Sequence, residues 1–186
     1  MDIYLIRHTA PSIPRGTCYG FSDLDLAPTF ETEASRLLPL LPATTLNVYA
    51  SPLQRCNRLA RFLFKDAHIQ LDERLKELNF GDWEMKRWDD LGENAMQEWM
   101  NDYVRVRVPG GESYEDLHAR AIASFLEVAA TGQHSAIVTH GGVIRSILAY
   151  VTNTPLEKSF DIRVEWGRMA RLRYENNTFT VLGIDE

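Results

Sequence analysis

The sequence predicts an α/β fold: a three-layer α/β/α sandwich around a mostly parallel central sheet, with an antiparallel hairpin at one edge and a helical insertion lying over the sheet. Three observations carry this. Short apolar runs rich in β-branched and aromatic residues alternate with segments of helical period, in the order strand, helix, strand, helix. Pro, Gly, Asn and Ser punctuate the joins. At 186 residues, 45% hydrophobic and 25% charged, the chain suits one domain able to bury a sizeable core.

Ile3-Tyr4-Leu5-Ile6 reads as a buried strand that stops at Arg7-His8-Thr9, ahead of Pro11 and Pro14. Residues 11–28, rich in Pro, Gly, Ser and Thr, read as an ordered loop of the length that serves a site. Residues 31–41 show helical spacing at Ala34, Leu37, Leu38 and Leu41, with Pro42 as the stop. A second strand over 46–50 leads to Ser51-Pro52, a good N-cap before the residue favoured at the first helical position, so a helix is expected over 52–64. Ile69-Gln70-Leu71 reads as a short third strand.

Residues 79–111 differ in character: they hold Trp83, Trp88 and Trp99 among acidic residues, with at least one amphipathic helix between 88 and 104. This is the expected insertion, closed by Pro109-Gly110-Gly111. Residues 112–130 place Leu117, Ala121, Phe125 and Val128 at helical period, and Gly132 ends them. Ala136-Ile137-Val138-Thr139 is a strand of central type, His140-Gly141-Gly142 a turn, and 143–151 a mostly apolar helix. The alternating stretches 168–174 and 179–182 read as the hairpin.

A net charge of −6 without a run of Lys and Arg argues against nucleic acid as a partner. No stretch approaches the ~18 apolar residues of a membrane helix, and the start lacks a basic segment followed by an apolar one, so a cytoplasmic location away from membranes is expected. Cys18 and Cys56 form no Cys-x-x-Cys and are expected as free thiols.

Three strand ends carry polar chemistry, and open α/β sheets bind ligands at the carboxyl ends of their strands. Arg7-His8 follows the first. Arg55 falls in the first turn of the helix after the second, where the helix dipole disfavours a cation by up to ~1 kcal/mol and so suggests an anion nearby. His140-Gly141-Gly142 follows the fourth predicted strand, its glycines letting the backbone approach a ligand and its helix aiming free N–H groups at one. His8, His68, His118, His134 and His140 lack the spacings of metal ligands, so neither metal nor other cofactor is expected. Gly-x-Ser-x-Gly, dinucleotide and Walker fingerprints are missing.

Phosphoryl transfer fits this set: a neutral imidazole attacks phosphorus, arginines hold the oxygens, and a carboxylic acid protonates the leaving oxygen. Glu77, between the apolar positions Leu75 and Leu78 and just before Gly81-Asp82-Trp83, is the best acid, with Glu73, Asp82, Glu84 and Glu112 as rivals by spacing.

Five ordered blocks now stand out: Leu5-Ile6-Arg7-His8; Tyr49-Ala50-Ser51-Pro52-Leu53-Gln54-Arg55; Leu75-Lys76-Glu77 leading to Gly81-Asp82-Trp83-Glu84; Gly111-Glu112-Ser113; and Val138-Thr139-His140-Gly141-Gly142. With them the chain resembles, over nearly its whole length, the histidine phosphatase superfamily in its phosphoglycerate-mutase-like branch. The resemblance implies that His8 becomes a phosphohistidine, that Glu77 is the proton donor, and that Arg7, Arg55, His140 and Gly141 bind the phosphoryl group without a metal.

Thr9 and Met85 stand where the family usually has glycine, and Pro14 stands near a phosphate-binding asparagine of the mutases, which favours a phosphatase. Arg7-His8-Thr9, Cys18-Tyr19-Gly20, Arg55-Cys56 and Phe80-Gly81-Asp82-Trp83-Glu84 look most like the α-ribazole phosphatases of bacterial cobalamin synthesis. The implied partner is a small phosphomonoester, α-ribazole 5′-phosphate, its aromatic base resting on the tryptophans of 79–111. A broad-specificity phosphatase, a mutase-like protein and a phospholigand binder without turnover are the alternatives.

Overall fold

A computed structural model describes residues 1–186, Ala95 excepted. Strand β1 (Asp2–Arg7) sends Ile3 and Leu5 to one face and Tyr4 and Ile6 to the other, and all four are buried. A strand covered on both faces belongs in the middle of a helix-flanked sheet. β1 lies there, between β4 (Ser135–Thr139), every residue of which is buried, and β5 (Met169–Glu175). With β2 (Asn47–Ala50), β3 (Ile69–Leu71) and β6 (Thr178–Gly183), the sheet order is β3-β2-β4-β1-β5-β6. The first four in that order run parallel, while β5 and β6 run antiparallel, as the sequence predicts. Asn176 and Asn177, both at positive φ, make the tight turn between β5 and β6.

On one face α1 (Phe30–Leu37) and α2 (Gln54–Leu63) pack Leu37, Leu59 and Ala60 onto Ile6, Val48 and Val138. On the other, α4 (Tyr114–Ala130) and α5 (Gly141–Thr152) pack Leu117, Phe125, Ile144 and Ile147 onto Leu5 and Ile137. Each such buried Leu, Ile, Val or Phe side chain stabilises the fold by about 1.5–3 kcal/mol. Helix α3 (Glu93–Asn101) falls within 79–111, where Phe80, Trp83, Trp88 and Trp99 meet at ring distances of 5.5–6.3 Å. Trp83 and Trp99 are buried core residues, so packing accounts for two of the three tryptophans. Among the described residues, no helix is long and apolar enough to cross a membrane.

Three helix boundaries differ from expectation: α5 starts at Gly141 rather than 143, which puts both glycines in its first turn, and the other two lie in α1 and α2. α1 ends at Leu37 because Pro39 has no N–H for the fourth carbonyl back, and the chain continues as a 3-10 turn over Leu38–Leu40. α2 starts at Gln54 rather than 52, with Leu53 at its N-cap. Asp23, reaching in from the 11–28 loop, accepts the Gln54 N–H at 2.7 Å, while the Ser51 hydroxyl accepts the Leu53 N–H at 3.4 Å and meets His140 Nε2 at 2.8 Å. In α4, Ser113 and Asp116 form a reciprocal capping box.

Met85 adopts φ 65°, in the left-handed region that costs a non-glycine residue ~1–2 kcal/mol. Met85→Gly should therefore raise stability by about 0.5–1 kcal/mol, once the greater freedom of glycine in the unfolded chain is offset. A thermal melt checks this, the expected rise in Tm being about 1–4 °C.

Candidate active site

Strand register builds the site. β1 and β4 run parallel with Arg7 opposite Thr139, so the next residues, His8 and His140, leave the sheet side by side. Their rings meet edge to face with centroids 5.0 Å apart. β2 ends one strand over, and its Ser51 hydroxyl lies 2.8 Å from His140 Nε2.

His8 and Arg7 line a cavity of about 170 Å³ together with Glu77, Tyr19, Phe80, Trp88, Tyr114, Arg145 and Phe160. Arg55, His140 and Gly141 stand behind His8 and do not line it. Arg55 is fully buried and donates to the carbonyls of Ser22 at 2.7 Å and Gly20 at 2.5 Å. The acceptors that offset a cation at the start of α2 thus include backbone carbonyls of the 11–28 loop. Arg7 donates to the Val164 carbonyl at 2.6 Å and stacks on Trp166, its Nε buried without a partner among the described residues.

His8 Nδ1 lies 2.7 Å from the Thr9 carbonyl, which can only accept, so Nδ1 carries the proton. In a neutral ring, Nε2 then holds the lone pair. Burial first, then Arg55 and Arg7, holds the His8 pKa well below the ordinary histidine range, so the ring is neutral near pH 7. His140 is lowered in the same way, by burial first and Arg55 next.

Both rings stay neutral in the folded chain at pH values where an unfolded chain takes up protons on them. Their contribution to stability is therefore complete above about pH 6.5 and is lost as pH falls below it, by about 1.4 kcal/mol per pH unit for each ring. Denaturant unfolding from about pH 7.5 down to about pH 5.5 should show a loss of roughly 2–3 kcal/mol, and a flat profile would contradict the burial of two neutral rings.

The two glycines that open α5 make room for the ionic groups. A Cβ on Gly141 would lie about 3 Å from both the Arg7 guanidinium and Arg145 Nη1, and one on Gly142 would lie 2.3 Å from Glu77 Oε1. The Glu77 carboxylate accepts the Gly142 N–H at 3.0 Å and its neighbour Leu78's N–H at 3.0 Å, while Tyr114 donates to the Gly142 carbonyl at 3.1 Å. Gly142→Ala should push the carboxylate aside and break that first bond. The expected result is a roughly 10–100-fold loss in kcat with a Tm within a few degrees of wild type, read by steady-state kinetics beside a melt.

The rival carboxylates are used elsewhere. Glu84 accepts the backbone N–H groups of Gly20, Phe21, Ser22 and Phe80 and the Ser22 hydroxyl. Burial raises its pKa, and the bonds from Ser22 and the Gly20, Phe21 and Ser22 N–H groups outweigh that to leave it lowered, an ionised organiser of the loop. Glu112 pairs with Arg120 at 2.9 Å, exposed Glu73 pairs with Lys76, and Asp82 packs on Gly110. Thr9 is buried, its hydroxyl without a partner among the described residues, and Pro14 lines a separate hollow with Trp166. Among the described residues, no three His, Cys, Asp or Glu side chains are grouped to hold a metal ion.

Ser51, Tyr19, Tyr114, Arg145 and Phe160 are site residues that the sequence reading missed. Arg145 had a signal, being the one charged residue in an otherwise apolar helix. Phe160 had none, because nothing local marks an aromatic in the 3-10 segment Leu156–Asp161 as reaching the cavity.

Comparison with known proteins identifies the family and its fold. The family model described as the histidine phosphatase superfamily (branch 1) matches residues 3–186. The chain is 29% identical over 178 residues to the adenosylcobalamin/alpha-ribazole phosphatase of Escherichia coli K12, covering 90% of this chain and 87% of that one. It is also 29% identical over 194 residues to a Hydrogenobacter thermophilus protein that bears the provisional name phosphoserine phosphatase 2, covering 99% and 95%. The solved alpha-ribazole phosphatase of Shigella flexneri superposes with a TM-score of 0.92 at 25% identity, covering 100% of this chain and 96% of that one.

Proposed function

The chain belongs to the histidine phosphatase superfamily, branch 1, and on that premise we propose that it is a metal-independent phosphomonoesterase acting on α-ribazole 5′-phosphate in adenosylcobalamin synthesis. One observation carries the chemistry: a neutral His8 whose Nδ1–H is committed to the Thr9 carbonyl, leaving the Nε2 lone pair free beside Arg7 and Glu77. Nε2 attacks phosphorus as the ester P–O bond breaks, and Glu77 gives its proton to the departing oxygen, so that a neutral alcohol leaves. Water then attacks the phosphohistidine and loses its proton to the Glu77 carboxylate. The P–N electron pair returns to Nε2 and inorganic phosphate departs. Arg7 contacts the phosphoryl oxygens from the cavity wall, while buried Arg55, His140 and the Gly141 N–H act on them from the layer beside His8.

The substrate assignment draws on the kinship with the E. coli enzyme and on the cavity wall. Tyr19, Phe80, Trp88, Tyr114 and Phe160 offer aromatic surface to a planar base, each ring contact worth about 0.5–1.5 kcal/mol beyond burial. A second, apolar hollow of about 340 Å³ shares Phe160 with the cavity and is lined by Trp99, Met100 and Tyr103. This reading takes the chain as one domain whose residues 79–111 form a Trp-rich cover at the site.

A specific feature favours a second reading, a phosphatase of small carboxylated esters such as phosphoserine. Arg145 lines the cavity with only its Nε bonded, to the Ile162 carbonyl at 3.0 Å, among the described residues, leaving two nitrogens for a carboxylate. Phosphate release from α-ribazole 5′-phosphate, phosphoserine and 3-phosphoglycerate, each in EDTA, separates the readings. The first reading expects kcat/KM at least about 10-fold higher for α-ribazole 5′-phosphate, and a preference for phosphoserine selects the second. Activity abolished by EDTA and restored by zinc would sink the mechanism, and isomerisation of 3-phosphoglycerate without phosphate release would make the protein a mutase.

A further inference from the structure

Glu77 sits on a stretch of chain with no ladder to hold it: residues 77–80 belong to neither helix nor strand. What holds it is Arg120, which projects from α4 with its side chain 17% exposed. One terminal nitrogen donates to the carbonyls of Arg74 at 2.7 Å and Lys76 at 2.5 Å. The other donates to the carbonyl of Glu77 itself at 2.7 Å and to Glu112 Oε2 at 2.9 Å, and Nε donates to Glu112 Oε1 at 3.0 Å. All five N–H donors of the guanidinium are thereby engaged, a pattern that the three donors of a lysine cannot reproduce. Glu112 extends the grip past Glu77, since its carboxylate accepts the Asn79 N–H at 3.0 Å and its own N–H donates to the Asn79 carbonyl at 2.9 Å.

We propose that Arg120, with Glu112, is a positioning residue that fixes the main chain on both sides of Glu77 and so aims its carboxyl at the leaving oxygen. The proposal rests on Glu77 being the proton donor. A buried ion pair serving only stability would contact any segment, whereas this one grips the carbonyls of 74, 76 and 77 and, through Glu112, residue 79.

Leaving-group dependence tests it. An alkyl phosphomonoester such as glycerol 3-phosphate needs a proton on its departing oxygen, whereas p-nitrophenyl phosphate expels a stabilised phenolate that needs little help. Arg120→Lys, and Glu112→Gln as a gentler variant should the first fold poorly, should lower kcat on glycerol 3-phosphate by roughly 30–100-fold with KM within about threefold. Their loss on p-nitrophenyl phosphate should be roughly tenfold smaller. Glu77→Gln, measured alongside, should show the same selectivity for the alkyl ester. Equal losses on both esters, or none, in Arg120→Lys and Glu112→Gln while Glu77→Gln remains selective would overturn the positioning role alone. Absence of selectivity in Glu77→Gln would overturn the proton-donor reading and the positioning role with it.

Discussion

His8→Ala should abolish turnover, by at least about 10⁴-fold on every phosphomonoester, because no second group can take over the displacement at phosphorus. His140, the nearest alternative, holds its Nε2 against the Ser51 hydroxyl at 2.8 Å and Cys56 Sγ at 3.4 Å, and it stands behind His8 rather than on the cavity wall. Arg7, Arg55 and Glu77 do not depend on the His8 ring for their anchoring bonds, so the variant should still bind inorganic phosphate. Phosphate release and phosphate-induced stabilisation against heat, measured on the same sample, check both halves. Turnover above about 1% of wild type would contradict the assignment of His8.

Arg55→Met should cost both activity and stability. The side chain is fully buried, and losing it strands the Gly20 and Ser22 carbonyls, each unpaired group costing about 1–3 kcal/mol. A loss of about 3–5 kcal/mol corresponds to a Tm lower by roughly 6–20 °C in a chain of this size. Below that Tm, kcat/KM should still be at least about 10³-fold down, because the positive charge beside His8 has gone and the loop that carries Tyr19 has lost one of its anchors. Arg55→Lys, with one compact charge in place of a planar fork, should fall between the two. A stability loss without an activity loss in the folded fraction would reduce Arg55 to a structural strut.

The parts of this molecule legible in sequence are those set by local pattern. Ile3 to Ile6 announces a strand buried on both faces, and Gly141-Gly142 announces a close approach, here by Arg7 and Glu77. The glycine missing at Met85 is visible both as a departure from the family pattern and as a backbone forced to φ 65°. The parts that were not legible depend on residues far apart in the chain. Ser51 looks like an N-cap until strand register brings His140 to its hydroxyl, and the cap comes from Asp23, 31 residues away. Glu112 looks like a candidate acid until α4 turns Arg120 toward it, and three of the five donors of Arg120 reach carbonyls more than 40 residues upstream. Pro39 is the exception, a local signal for the end of α1 that helical periodicity at Leu38 and Leu41 obscures.

The phosphoenzyme itself offers the most direct test. Rapid mixing of enzyme with ³²P-labelled phosphomonoester, denaturing quench at alkaline pH and peptide mapping should find an acid-labile phosphoryl group on Nε2 of His8, formed and lost at rates that account for turnover. A label on His140 or on a carboxylate, or turnover at full rate with no labelled peptide at any quench time, would contradict it.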